Sequence, residues 1–197
     1  MSPTKIMLIR HAEKPEPDGV DGVTQDGTPD PESLSEVGWK RARALVGFFS
    51  QPTASYIKTP DIVFAAAPEV GSKRPAETVT PLVEALWPAT AQRIAHFDAS
   101  VKKARVADIA GKAMAANGVV LISWEHTLIP DIVSALPQAP TTPTRWPGDR
   151  FDVVWILNAK PGGGWDFHQT PQMLLKGDQT SPSTSEPTTR MTSCVTA

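Results

Sequence analysis

A chain of 197 residues with 40% hydrophobic and 20% charged residues reads as one globular domain with a substantial core. Its net charge of −2 offers neither the basic face that nucleic acid needs nor a patch for an anionic membrane. The single cysteine, Cys194, excludes an internal disulfide framework and a cysteine-rich zinc site.

The elements follow in order. Residues 5–10 form a short apolar run, expected as a buried strand. Residues 15–33 are rich in Pro, Gly and Asp and carry six acidic residues and no basic one. They read as a long loop, solvated in the plainer account, able to repel polyanions or meet a cationic partner in the other. Leu34-Ser35 opens a helix. Ser35 suits the N-cap, and Trp39, Ala42, Leu45, Val46 and Phe49 repeat at helical spacing. Residues 61–66 are a second strand. Residues 75–87 are a helix with Pro75 at its start, an apolar stripe of Val79, Leu82, Val83 and Leu86, and a bend expected at Pro81. Residues 93–97 are expected as a short strand and 101–116 as a helix stopped by Asn117-Gly118. Residues 118–124 are a strong buried strand, 126–136 a short helix and 137–149 a proline-rich loop. Residues 151–158 are a strand that pairs with 165–169 across the glycines 162–164. Strands alternating with helices argue for a mainly parallel sheet covered on both faces. From 176 to 197 the chain is rich in Ser, Thr and Pro and is expected to be disordered, so that deleting 177–197 leaves stability unchanged. The domain is therefore expected to span 1–175.

Chemistry gathers at strand ends, where ligands bind in open α/β sheets. Arg10 and His11 follow the first strand. Arginine presents a planar fork that matches phosphate oxygens, and a neutral imidazole can attack phosphorus if its other nitrogen is held as a donor. Glu125 and His126 follow strand 118–124, where a second histidine can donate to a transferring phosphoryl group. Arg74 stands before the helix at 75, beside a helix N-terminus already favourable to anions.

These residues occur in an order that resembles the histidine phosphatase superfamily, the group that includes phosphoglycerate mutases. LIRHAEK resembles its strand-then-Arg-His signature, and LSEVGWKRARAL its Leu-Ser-x-x-Gly helix start. FAAAPEVGSKRPAETVTPLVEAL resembles its second-arginine helix, with Arg74 and Thr78 four residues apart. VVLISWEHTLIPDIVSAL resembles its second-histidine strand and helix, and FDVVWIL a late strand. The resemblance runs from about residue 5 to 158. It implies a phosphoglycerate mutase-like three-layer α/β/α sandwich. It also implies a phosphomonoester hydrolase in which His11 becomes phosphohistidine while Arg10, Arg74 and His126 grip the phosphoryl oxygens. No metal or other cofactor is implied. The partner is a small phosphate ester or inorganic phosphate, and the cytosol is the default location.

The chain departs from the pattern in several places. Ala12 and Glu125 stand where glycine is common, and the family's extra arginine has no match in the loop before Arg74. Mutase-type members place the proton-donating glutamate after the second-arginine helix, where this chain has His96 and Asp98. The other branch places an aspartate after the second histidine, where this chain has Thr127. Glu13, Glu125 and Asp98 remain open as donors, with the first two preferred for their nearness to the histidines. Without an effective acid, the chain would be a catalytically weak or inactive phosphate-binding protein on the same fold. A metal hydrolase built on His11, Glu13, Glu125 and His126 lacks the helical His-x-x-x-His spacing. Gly71-Ser72-Lys73 lacks the glycine loop of a P-loop enzyme. Trp124, Trp146 and Trp155 read as core more readily than as a base-stacking platform.

Overall fold

Burial alternates along the first strand and sets the layers. In β1 (Pro3–Arg10), Ile6 and Leu8 enter one apolar cluster while Met7 and Ile9 enter the other, all fully buried. Successive strand residues point to opposite faces, so a run apolar on both faces must lie mid-sheet with a layer on each side. The computed structural model describes residues 2–16, 22–71 and 73–181, and in it β1 occupies that place.

The other elements are α1 (Glu36–Ser50), β2 (Ile62–Ala66), α2 (Arg74–Leu86), α3 (Thr90–His96), β3 (Phe97–Val101), α4 (Val106–Ala115), β4 (Gly118–Trp124), α5 (Ile129–Ser134), β5 (Val153–Ala159) and β6 (Trp165–Pro171). The six strands form one sheet ordered β3-β2-β4-β1-β5-β6. The first four in that order pair in parallel, whereas β5 runs antiparallel to β1 and β6 antiparallel to β5. Leu45 and Phe49 of α1 and Val79, Leu82 and Val83 of α2 pack with Met7 and Ile9. Ile109 and Ala113 of α4 and Ile129, Ile132 and Val133 of α5 pack with Ile6 and Leu8. The result is an α/β sandwich around a mostly parallel mixed sheet.

Local chemistry explains most boundaries. The Ser35 side chain accepts from the Gly38 N–H and starts α1. α2 continues through Pro81 to Leu86. The β5–β6 hairpin turns through Gly162, Gly163 and Gly164, with φ of 90°, 104° and 76°, a backbone that only glycine adopts without strain. Trp124, Trp146 and Trp155 are buried in the core. Among the described residues no helix is long and apolar enough to cross a membrane.

Three expectations change. Residues 93–96 are helical rather than extended. Arg93 Nη1 donates to the carbonyl of Pro88 (2.7 Å), and His96 stacks on Trp87 at 4.9 Å. These contacts hold the turn, and the strand starts at Phe97, paired with Val63. The following helix begins at Val106, because Val101 is taken by the sheet opposite Ala66. The expected domain limit at 175 also moves outward. Gln179 N–H donates to Asp152 (2.8 Å), and Arg150 donates to the carbonyl of Ser181 (2.9 Å). Residues 182–197 of the expected tail lie outside the described residues.

Candidate functional site

The sheet brings the two histidines together. β1 and β4 are parallel neighbours whose last residues, Arg10 and Trp124, are partners in register. The His11 N–H extends the ladder to the Trp124 carbonyl (3.0 Å). The chain therefore leaves the sheet at the same level twice, delivering His11 from one strand and Glu125-His126 from the next. α2 adds Arg74 from the side. Arg10, His11, Lys14, Arg74, Lys103, Glu125 and His126 line one cavity of about 160 Å³ with Gly71 and Pro75. Its four basic side chains face one carboxylate, a balance that favours an anion.

Each group is fixed by short contacts. His11 Nδ1 lies 2.7 Å from the Ala12 carbonyl oxygen. A carbonyl only accepts, so Nδ1 carries the proton and Nε2 keeps its lone pair. Ala12 N–H donates to Thr78 Oγ1 (2.8 Å), which donates to the Arg74 carbonyl (2.7 Å). The residue after His11 is thus tied to the helix that bears Arg74. Gly38 lies so close that a Cβ there would collide with the Glu13 carbonyl oxygen, so the glycine of Leu-Ser-x-x-Gly allows α1 to press against loop 11–13.

Arg10 is 2% exposed. It donates through Nη1 to the Gly148 carbonyl (2.6 Å), and its Cζ lies 3.6 Å from the centroid of the Phe151 ring. Burial lowers its pKa to about 10, with Glu13, Asp149 and Glu125 acting in the opposite direction, so it is charged at neutral pH. Arg10 Nε and His126 Nδ1 are buried without a partner among the described residues. Leaving such a group unpaired costs about 1–3 kcal/mol, which an anion oxygen would relieve at Arg10 Nε. Arg74 spends Nε on the Ser33 carbonyl (3.1 Å) and Nη2 on that of Pro31 (2.7 Å). The acidic loop therefore anchors an arginine of the site. No side chain caps the N-terminus of α2, where backbone N–H groups favour an anion.

Burial, reinforced by the charges of Arg10, Arg74 and His126, lowers the His11 pKa to about 3 against the opposing Ala12 hydrogen bond. His126 is also lowered, by burial first and by Arg10 second. His11 thus stays neutral where an ordinary histidine, with a pKa of 6.5, gains a proton. Below that value the unfolded chain binds a proton that the folded chain refuses. The contribution to stability is whole above pH 6.5 and is lost as pH falls toward 3. Nitrogen NMR of the ligand-free protein should show His11 as the neutral Nδ1–H tautomer at about pH 5, well below its unfolded pKa. A protonated ring at that pH would contradict this environment.

Neither protein-family models nor curated proteins yield a match for this chain.

The expected site residues divide into two groups. Arg10, His11, Arg74, His126 and Glu125 line the cavity; Glu13 and Asp98 do not. Glu13 is held by Arg41, with Nε and Nη2 donating to its carboxylate at 2.9 and 2.7 Å. Asp98 is paired with Lys112 (2.6 Å). Glu125 faces the cavity but bonds Lys103 (3.2 Å) and Thr127 Oγ1 (3.0 Å). Lys14, Lys103 and Phe151 are given no role by the sequence reading, whereas the 147–150 turn falls in the 137–150 loop expected on the substrate side. Lys14 could have been flagged by its place three residues after His11; Lys103 and Phe151 carry no local signal.

Proposed function

We propose that this chain is a phosphomonoester hydrolase of the histidine phosphatase type, on a phosphoglycerate mutase-like fold, working through a phosphohistidine on His11. The observation that carries the reading is the Nδ1 hydrogen bond from His11 to Ala12 inside a basic cavity. It leaves Nε2 as a neutral nucleophile, and burial prevents protonation from quenching it.

In the proposed reaction His11 Nε2 attacks phosphorus, the bond to the ester oxygen breaks, and water later displaces the phosphoryl group to release inorganic phosphate. Arg10, Arg74 and His126 would stabilise charge on the equatorial oxygens, a task that supplies most of the catalysis in phosphoryl transfer. The substrate is a small phosphate ester. The reaction calls on no metal, so a chelator should leave the rate unchanged.

Rapid quenching with labelled nitrophenyl phosphate tests this reading. The expected result is an acid-labile phosphohistidine together with steady release of inorganic phosphate. Vanadate should inhibit, and Arg74→Ala should weaken that inhibition by about 10-fold or more, the scale of one charge-assisted hydrogen bond. A wild-type protein that forms no phosphoenzyme would refute the proposal. The rival reading, a phosphate-binding protein without effective turnover, draws on the ion pairs that occupy Glu13 and Glu125. It predicts phosphate binding without steady-state release.

A further inference from the structure

Cleavage of an unactivated ester leaves an alkoxide that needs a proton, and the acids named so far are engaged. Three carboxylates act electrostatically on Arg10: Glu13, Asp149 and Glu125. Glu13 is clamped by Arg41, and Glu125 is paired with Lys103 and Thr127. Asp149 is exposed, and among the described residues it has neither a hydrogen-bond nor an ion-pair partner.

The backbone fixes where Asp149 stands. Arg150 N–H donates to the Pro147 carbonyl (3.2 Å) and closes a turn over 147–150. Arg10 Nη1 reaches the carbonyls on both sides of Asp149, Gly148 at 2.6 Å and Arg150 at 3.4 Å. The same turn touches the second histidine, since a Cβ on Gly148 would lie 3.7 Å from His126 Nε2. Asp149 is thus carried on a turn that bridges two of the groups expected to hold the phosphate.

Space for an alcohol lies beside it. A second cavity of about 210 Å³ is lined by Asp149, Phe151, Val37 and Leu175, among others. Phe151 connects this cavity to the phosphate pocket, because its ring stacks under Arg10 and lies 6.0 Å from the His11 ring. Of the other charged groups of this wall, Arg41 pairs with Glu13 and Asp178 and Arg150 with Asp152, while Lys176 is exposed at the rim.

We propose that Asp149 is the acid that protonates the departing oxygen, with the alcohol portion of the ester seated in the Phe151-walled cavity. The assignment rests on the phosphohistidine reading. As the Nε2–P bond forms and the P–O bond breaks, the electron pair goes to the ester oxygen, which takes the proton of the Asp149 carboxyl. In the second half, the Asp149 carboxylate removes a proton from the water that attacks phosphohistidine, and both side chains return to their starting states.

The test compares wild type, Asp149→Asn and Glu125→Gln on nitrophenyl phosphate and on ethyl phosphate, a poor leaving group. Asp149→Asn should lower ethyl phosphate hydrolysis by about 10²–10³-fold, the range for loss of a general acid, and nitrophenyl phosphate hydrolysis by no more than about threefold. Equal losses on both esters, no loss, or the leaving-group-dependent loss in Glu125→Gln alone would overturn the assignment. So would a wild type that hydrolyses nitrophenyl phosphate but no alkyl ester, while leaving the His11 reading standing. A wild type that forms no phosphohistidine removes both, and that failure is seen without any variant.

Discussion

Replacing His11 with alanine is expected to abolish phosphoenzyme formation and to lower turnover by roughly 10⁵-fold or more, the scale seen when a covalent nucleophile is deleted. The size of the loss follows from the proposed chemistry. Arg10, Arg74 and His126 can still gather around a phosphate, but no other cavity-lining group supplies a neutral nitrogen held in a defined tautomer. Vanadate or phosphate should still bind measurably, because the four basic side chains of the cavity remain. The loop should also survive, since the Ala12 N–H stays bonded to Thr78 and the Glu13 carbonyl to Ser35. Circular dichroism and a phosphate titration separate loss of chemistry from loss of fold. Wild-type rates in a folded His11→Ala protein would end the nucleophile assignment.

Arg41→Met should cost the most stability of any single change around the site, about 3–5 kcal/mol, because it strands the buried carboxylate of Asp178 and the half-buried one of Glu13. The Arg41 side chain is 4% exposed and lies 2.7 Å from both Glu13 and Asp178. The Asp178 side chain is 4% exposed and also accepts the N–H groups of Leu174 (2.7 Å) and Leu175 (3.1 Å). Burial alone would raise the Asp178 pKa, but the Arg41 bonds and the two backbone N–H groups outweigh it and hold the carboxyl below its usual value of 3.8. The stabilisation is therefore present above that value and is lost as pH falls through the lower folded pKa. Denaturant unfolding should show the full loss in Arg41→Met at pH 7 and a smaller difference from wild type near pH 3. A loss below about 1 kcal/mol, the level of an exposed pair, would mean that the network is not buried in solution.

The same contacts correct the expectation for the tail. Truncation after Lys176 removes Asp178 and Gln179 and leaves Arg41 and Asp152 short of partners. It should cost about 1–3 kcal/mol, as buried hydrogen-bonding groups lose their mates. Truncation after Ser181 keeps these contacts.

Much of the architecture was legible in local pattern. Residues 5–10 and 118–124 are apolar on both faces, which only a sheet covered on two sides satisfies, and they became β1 and β4. Ser35 announced α1 because a hydroxyl three residues before a free N–H is a local bond. Arg10, His11, Glu125 and His126 could be placed on one edge before any coordinates, because parallel strands put their carboxyl ends together. The short helix at 90–96 was missed because it depends on Trp87 stacking with His96 and on Arg93 reaching back to Pro88.

The sequence by itself determined the alternation of strands and helices and the strand ends at which the histidines stand, since these depend on residues a few positions apart. Tertiary structure decided which acids remain available. Glu13, adjacent to the site in sequence, is turned to Arg41, 28 residues away, and Asp178, in a stretch that reads as polar tail, is buried against the same guanidinium from 137 residues away. A carboxylate stays ionised when buried only where a cation or hydrogen-bond donors meet it, and that meeting is a property of the folded chain.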